Sequence, residues 1–190
     1  MSDLLRLFST ANYAANALSL STAFAGFAIL LLGLAVALRS RALSSRLFFL
    51  VTIAFSGWLL AFSAMYASTD ANIALGWGRI GYFCASLIPA AVFHFASVNV
   101  GRARGLRVPI IAIWTLCVTI ALLSIVTARL VPSVQHFPWG FYTTGSPFGG
   151  IIALAFGGIA VAAMVLFLRA YREAEGNARE RTGALLLAFV

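Results

Sequence analysis

Lysine is absent from this chain of 190 residues, and aspartate and glutamate together number only 5. With no lysine in an apolar run there is no amine for a retinal-type Schiff base, and with no paired carboxylates in such a run there is no pump-like proton relay. Cysteine is nearly as scarce. Cys84 and Cys117 both sit in apolar sequence with no CxxC or Cys/His cluster nearby, which excludes a disulfide framework and a zinc site and leaves two small packing residues. His94 and His136 are the only histidines, so no second histidine in an apolar run completes a paired haem site. Phosphate-cradling glycine loops and Ser/His/Asp arrangements are missing too. These residues therefore carry no expected catalytic group, metal or cofactor.

What fills the chain instead is apolar: 62% of residues are hydrophobic, 9% are charged, and the mean hydropathy is +1.00. A soluble domain of this length leaves too much surface in water to hide that composition, so a lipid bilayer must cover it. The net charge of +8 comes from arginines in short clusters between apolar runs, not from a basic face interleaved with aromatics, and nucleic acid is not an expected partner.

Crossing the hydrocarbon takes about 20 apolar residues. Five runs meet that length, at 17–38, 47–67, 73–98, 109–128 and 149–168, and a sixth begins at 182 and is incomplete at 190. None has the alternating period of a barrel strand, so the expected fold is all-α, a polytopic transmembrane helix bundle forming one domain. No cleavable signal is read at the N-terminus, where the first run exceeds a signal h-region. The chain is expected to continue beyond Val190.

Arginine placement predicts the orientation. Arg39, Arg41 and Arg46 follow the first run, Arg102, Arg104 and Arg107 the third, and Arg169, Arg172, Arg179 and Arg181 the fifth, whereas only Arg6 and Arg129 fall in the alternate segments. By the positive-inside rule the basic segments are cytoplasmic and the N-terminus is outside.

Polar residues inside the runs are the candidates for function. In the third run a turn of about 100° per residue stacks Arg79, Ser86, Ala90 and Ser97 on one stripe, with Tyr82 and His94 about 60° to either side. Arg79 either snorkels to the headgroups or pairs with Asp70, or else faces a ligand. His94 is expected to bond a neighbouring helix in preference to a metal or haem. Pro89 must bend the helix, as a packing feature or as a hinge. Small residues recur at helix-contact spacing at Gly26 and Gly33, at Gly149, Ala153 and Gly157, and at Gly158 and Ala162. Thr52, Ser56 and Ser63 line one stripe of the second run as interhelical hydrogen-bond donors. Between the fourth and fifth runs, RLVPSVQHFPWGFYTTGSPF holds His136, Trp139 and Tyr142, which either roof a small-molecule pocket or anchor the chain at the interface; Pro138, Gly140 and Gly145 call for a defined loop.

The order of runs, with SRALSSRLFFLVTIAFSGWLLAFS leading the second, WGRIGYFCASLIPAAVFHFA in the third and PWGFYTTGSPFGG before the fifth, resembles the N-terminal seven-helix input region of bacterial sensor histidine kinases. The matching positions in the third run are Trp77, Arg79, Tyr82, Pro89, Phe93 and Phe95. Similar regions precede diguanylate cyclases. The resemblance implies a multi-pass protein of the bacterial inner membrane that passes an unknown small-molecule or membrane stimulus to a cytoplasmic output module, commonly as a homodimer. A small-solute transporter or channel is the competing class. It would be expected to show intramembrane carboxylates, broken helices or repeats, and only the proline kink is present.

Overall fold

Residues 9–173 and Gly183 are described by the computed structural model. Among the described residues, five helices are long and apolar enough to cross a membrane. Helix α1 (Ala17–Arg39) opens with a reciprocal cap: the Asn16 side chain accepts from the Ser19 N–H, and the Ser19 hydroxyl oxygen accepts from the Asn16 N–H. Helix α2 (Leu43–Ala67) follows after a short turn, and α3 (Ala71–Asn99) starts where Asp70 accepts from the backbone N–H groups of Asn72 and Ile73. Helix α4 (Arg107–Val126) leads to a hairpin of β1 (Val134–Phe137) and β2 (Gly140–Thr143), and α5 (Pro147–Glu173) closes the described chain. The expected sixth run lies outside the described residues, Gly183 excepted, as do Arg6, Arg179 and Arg181.

The apolar runs locate all five helices, but the helices outgrow them. Helix α5 continues through Arg169, Arg172 and Glu173, because helix propensity does not stop where the hydrocarbon does. Helix α4 stops two residues short of the expected end, at Val126, where Thr127 turns extended.

The hairpin was legible only as a loop. Its strands pair antiparallel with His136 opposite Phe141 and Phe137 opposite Gly140, leaving Pro138 and Trp139 as the turn. Pro138 presets the first turn residue, and Gly140, at φ +123°, supplies the positive dihedral that lets the second strand pair. A side chain at Gly140 would also strike the Tyr66 carbonyl, so only glycine lets the turn lie on the end of α2.

The two ends of the bundle differ in chemistry. One end gathers the chain leading into α1, the α2–α3 turn and the hairpin: Tyr13 pairs with Ser68, the Trp77 indole donates to the Tyr13 hydroxyl at 2.7 Å, and the Asn16 amide donates to the Tyr66 carbonyl at 2.9 Å. The other end gathers the arginines of the α1–α2 and α3–α4 connections with the end of α5, and there Arg102 bonds Glu173 at 2.6 Å. The helices thus alternate in direction as the arginine count requires.

Helix α3 is the axis of the bundle, packing against α2, α4 and α5. Half of its most apolar stretch is buried (50%), against 11% in α1 and in α5. Large side chains such as Phe24, Leu38, Val126 and Leu154 are exposed, which suits lipid and would be untenable in water. Gly26 and Gly33 face α2 as their spacing predicts. A Cβ at Gly26 would press on Leu60 at 3.1 Å, and one at Gly33 would collide with Thr52. In α5, by contrast, a Cβ at Gly150, Gly157 or Gly158 meets nothing within 4 Å among the described residues.

Candidate functional site

The predicted polar stripe of α3 is buried: Ser86, Ala90 and Ser97 are at most 3% exposed. Two of its hydroxyls bond the helix itself, Ser86 donating to the Tyr82 carbonyl at 2.7 Å and Ser97 to the Phe93 carbonyl at 2.8 Å. Such back-bonds let a serine sit in an apolar interface without an orphaned donor.

Arg79 does not pair with Asp70. The Asp70 carboxylate caps α3 instead, and among the described residues the only salt bridge is that between Arg102 and Glu173. The Arg79 backbone meets α4, its carbonyl accepting from the Ser124 hydroxyl at 3.4 Å. Its side-chain Nε is buried without a hydrogen-bond partner. A buried guanidinium N–H left unsatisfied is costly, and so marks a place where a further group would be stabilising.

His94 takes the interhelical role its position suggested. Its Nδ1 accepts from the Trp114 indole of α4 at 3.4 Å, a long and weak bond. Pro89 lies inside α3, where it removes one backbone N–H. The surface around it is tightly packed: neighbouring Ala90 and Ala91 and the facing Cys117 of α4 are at most 1% exposed. Cys84 and Cys117 are both free thiols.

Tyr82 connects this stripe to the hairpin. Its hydroxyl accepts from the Thr143 hydroxyl at 3.4 Å, and its ring lies 6.0 Å from Phe62. Phe62 is the hub of an aromatic cluster at this end, meeting Tyr66 and Tyr142 edge-on, each with centroids at 6.0 Å. Tyr66 in turn stacks on Tyr142 and meets Trp139 edge-on at 5.7 Å. Trp139 and Tyr142 are 40% and 37% exposed, so they form a lid with one wet side, the position of an interfacial anchor. Burial pushes the Tyr142 phenol above its ordinary range, and neighbouring Tyr82 adds to the effect. A phenol is already neutral at physiological pH at its ordinary value of about 10, and the shift only moves it further from ionising. His136 is exposed and packs edge-on against Phe141 at 4.9 Å.

A cavity of about 350 Å³ opens between α3, α4 and α5 at the hairpin end. Tyr82 and Ser86 line it from α3, Ile120 from α4, and Gly149, Gly150 and Phe156 from α5. A second cavity of about 300 Å³ shares Ile120, Leu130 and Ile152 with the first and extends to Thr127 and Arg129. Of the seven candidate sensing and loop residues only Tyr82 reaches these walls; Arg79, Pro89, His94, His136, Trp139 and Tyr142 do not line them. Among the described residues no group of three His, Cys, Asp or Glu side chains could hold a metal.

Several partners escaped the sequence reading. Ser124, Trp114, Thr143 and Tyr66 lie between 20 and 61 positions from a residue they touch, and such distant pairs leave no local pattern. Only Tyr66, an aromatic at the end of a span, carried a signal that could have found it.

Known proteins supply the last observation. A search of curated proteins finds no match to the chain. The family model described as the N-terminal 7TM region of histidine kinase matches residues 21–190, which takes in the hairpin, α2 to α5 and all of α1 but its first four residues. With a polytopic bundle and a match over most of its length, the chain belongs to the family of N-terminal 7TM regions of histidine kinases.

Proposed function

We propose that this chain is the sensory input region of a two-component histidine kinase in the bacterial inner membrane, a single domain that works as a homodimer. The family match over residues 21–190 carries the reading. The arginine end would face the cytoplasm and the hairpin and N-terminus the exterior, as the positive-inside rule requires.

A stimulus can switch such a bundle only by favouring one helix arrangement over another. Helix α3 suits the task because it runs between the two ends and touches α2, α4 and α5. At the hairpin end it presents Tyr82, bonded to Thr143 and lining the cavity, and the unsatisfied Nε of Arg79. Farther along, Pro89 offers a hinge and His94 a weak, exchangeable bond to α4. A change felt by Tyr82 or Arg79 would thus alter how α3 meets α4.

The test is autophosphorylation by the full-length protein in nanodiscs. Acid-labile phosphohistidine should form from ATP, and alanine at Arg79, Tyr82, Pro89 or His94 should change its level while membrane yield stays normal. Solute flux in reconstituted vesicles, with no phosphohistidine, would overturn the reading in favour of a transporter.

A further inference from the structure

The two adjoining cavities form one cleft between α4 and α5, and its chemistry is lopsided. The walls are nearly all apolar, supplied by Ile120, Leu123, Ile151, Ile152 and Phe156. At one margin stands Arg129, exposed and three residues past the end of α4. No acid is left to neutralise it among the described residues: Asp70 caps α3, and Glu173 is bound to Arg102 at the other end. The cleft is open where a helix side chain would ordinarily fill it, since a Cβ on Gly150 meets nothing within 4 Å among the described residues.

We propose that this cleft binds a single-chain anionic amphiphile, a medium-chain fatty acid, with its carboxylate on Arg129 and its chain along Ile120, Ile152 and Phe156. The charge at the mouth selects the head, because an exposed cation attracts a carboxylate whether or not it is forked. The walls select the tail. From Ser146 to Phe156 the cleft follows α5 for about 15 Å at 1.5 Å per residue, and its volume is that of a small-molecule site and not of a two-chain lipid. The proposal names the stimulus class for the sensory reading above and rests on it for its purpose. Binding itself can be measured without any kinase output.

The full-length protein in nanodiscs of zwitterionic phospholipid is photolabelled with a diazirine-bearing dodecanoate and mapped by peptide mass spectrometry. Labels should fall on peptides containing residues 120–130 and 145–156 and be competed by dodecanoate. In Arg129→Gln the competing acid should weaken about fivefold, the scale of an exposed ion pair, while dodecanol competes as in the wild type and Arg129→Lys retains most of the effect. Gly150→Leu, which fills the cleft, should reduce probe labelling and weaken competition by dodecanoate and dodecanol alike. Labels spread evenly over the exposed leucines of α1, or an unlabelled cleft filled by another helix, would overturn the proposal. So would equal competition by acid and alcohol with no response to Arg129→Gln, which marks a bulk phospholipid chain. Absence of phosphohistidine both with and without dodecanoate, with labelling intact, would sink the sensory reading and leave the binding site standing.

Discussion

Glycines of α1 and α3 and glycines of α5 recur at similar helix-contact spacings, yet their surroundings are opposite. Gly26, Gly33 and Gly81 sit where a neighbouring helix presses on the backbone, with Phe62 only 2.5 Å from a Cβ built at Gly81. Gly150, Gly157 and Gly158 face open space among the described residues. Close spacing of small residues permits helix contact but does not create it. What distinguishes the two regions is the partner: Thr52, Leu60 and Phe62 of α2 supply knobs for the first set, whereas α5 packs chiefly on α3 through Ala163 and Phe167. The three-helix block α1–α3 holds the closest helix contacts at glycine, and three cavities lie along α5, against one of about 230 Å³ between α1, α2 and α3 at the arginine end.

The sharpest way to break this contrast is to put a side chain on each kind of glycine. Gly33→Val should lose about 3 kcal/mol of stability, the upper range for overpacking, because its Cβ collides with Thr52. Gly157→Ala should lose nothing and gain up to about 1 kcal/mol from helix propensity. Denaturant titration of the two purified variants in the same detergent measures both, and equal losses would erase the distinction.

A smaller effect is expected at the hairpin. Gly140→Ala forces a left-handed backbone onto a Cβ residue and drives it against Tyr66, costing about 2 kcal/mol. Tryptophan fluorescence should report Trp139 leaving the aromatic cluster. Native emission in that variant would show that the turn can be rebuilt without glycine. The smallest loss is expected within the α3–α4 contact, where Trp114→Phe removes the donor to His94. The bond is long, so about 0.6 kcal/mol is expected, the average for interhelical bonds in membranes. A double-mutant cycle with His94→Phe isolates the pair, and a coupling of several kcal/mol would make it a structural linchpin and not an exchangeable contact.

Much of the fold was legible because lipid makes composition decisive: an apolar run of spanning length has few alternatives to a helix. The cap at Asn16 leaves the start of α1 at its hydropathy limit, Ala17, and the cap at Asp70 brings the start of α3 forward by two residues, to Ala71. Pro138 and Gly140 announced a turn, but the pairing of VQHF with GFYT was hidden, since four-residue strands on an aromatic end depend on α2 and α3 beneath them. In the candidate site, periodicity correctly buried Ser86 and Ser97 and set Tyr82 beside them. It could not say that Asp70 would serve the backbone and leave Arg79, or that His94 would meet Trp114, because those choices are made by helices that sequence alone does not dock. The cleft was invisible for the same reason: its walls come from three elements, and its cation, Arg129, read only as a stray in the arginine count.

The account rests on two chemically sorted ends, an arginine end and an aromatic lid, and on the proposal that the first faces the cytosol and the second the exterior. Single cysteines at Ser44, Asp70, Gly105 and Pro138, placed in the protein with Cys84 and Cys117 replaced by alanine, can be probed on intact cells with a membrane-impermeant maleimide. Labelling at positions 70 and 138 alone, with 44 and 105 reacting only after the membrane is opened, is the predicted pattern. The reverse pattern, or reaction at all four positions in intact cells, would contradict it.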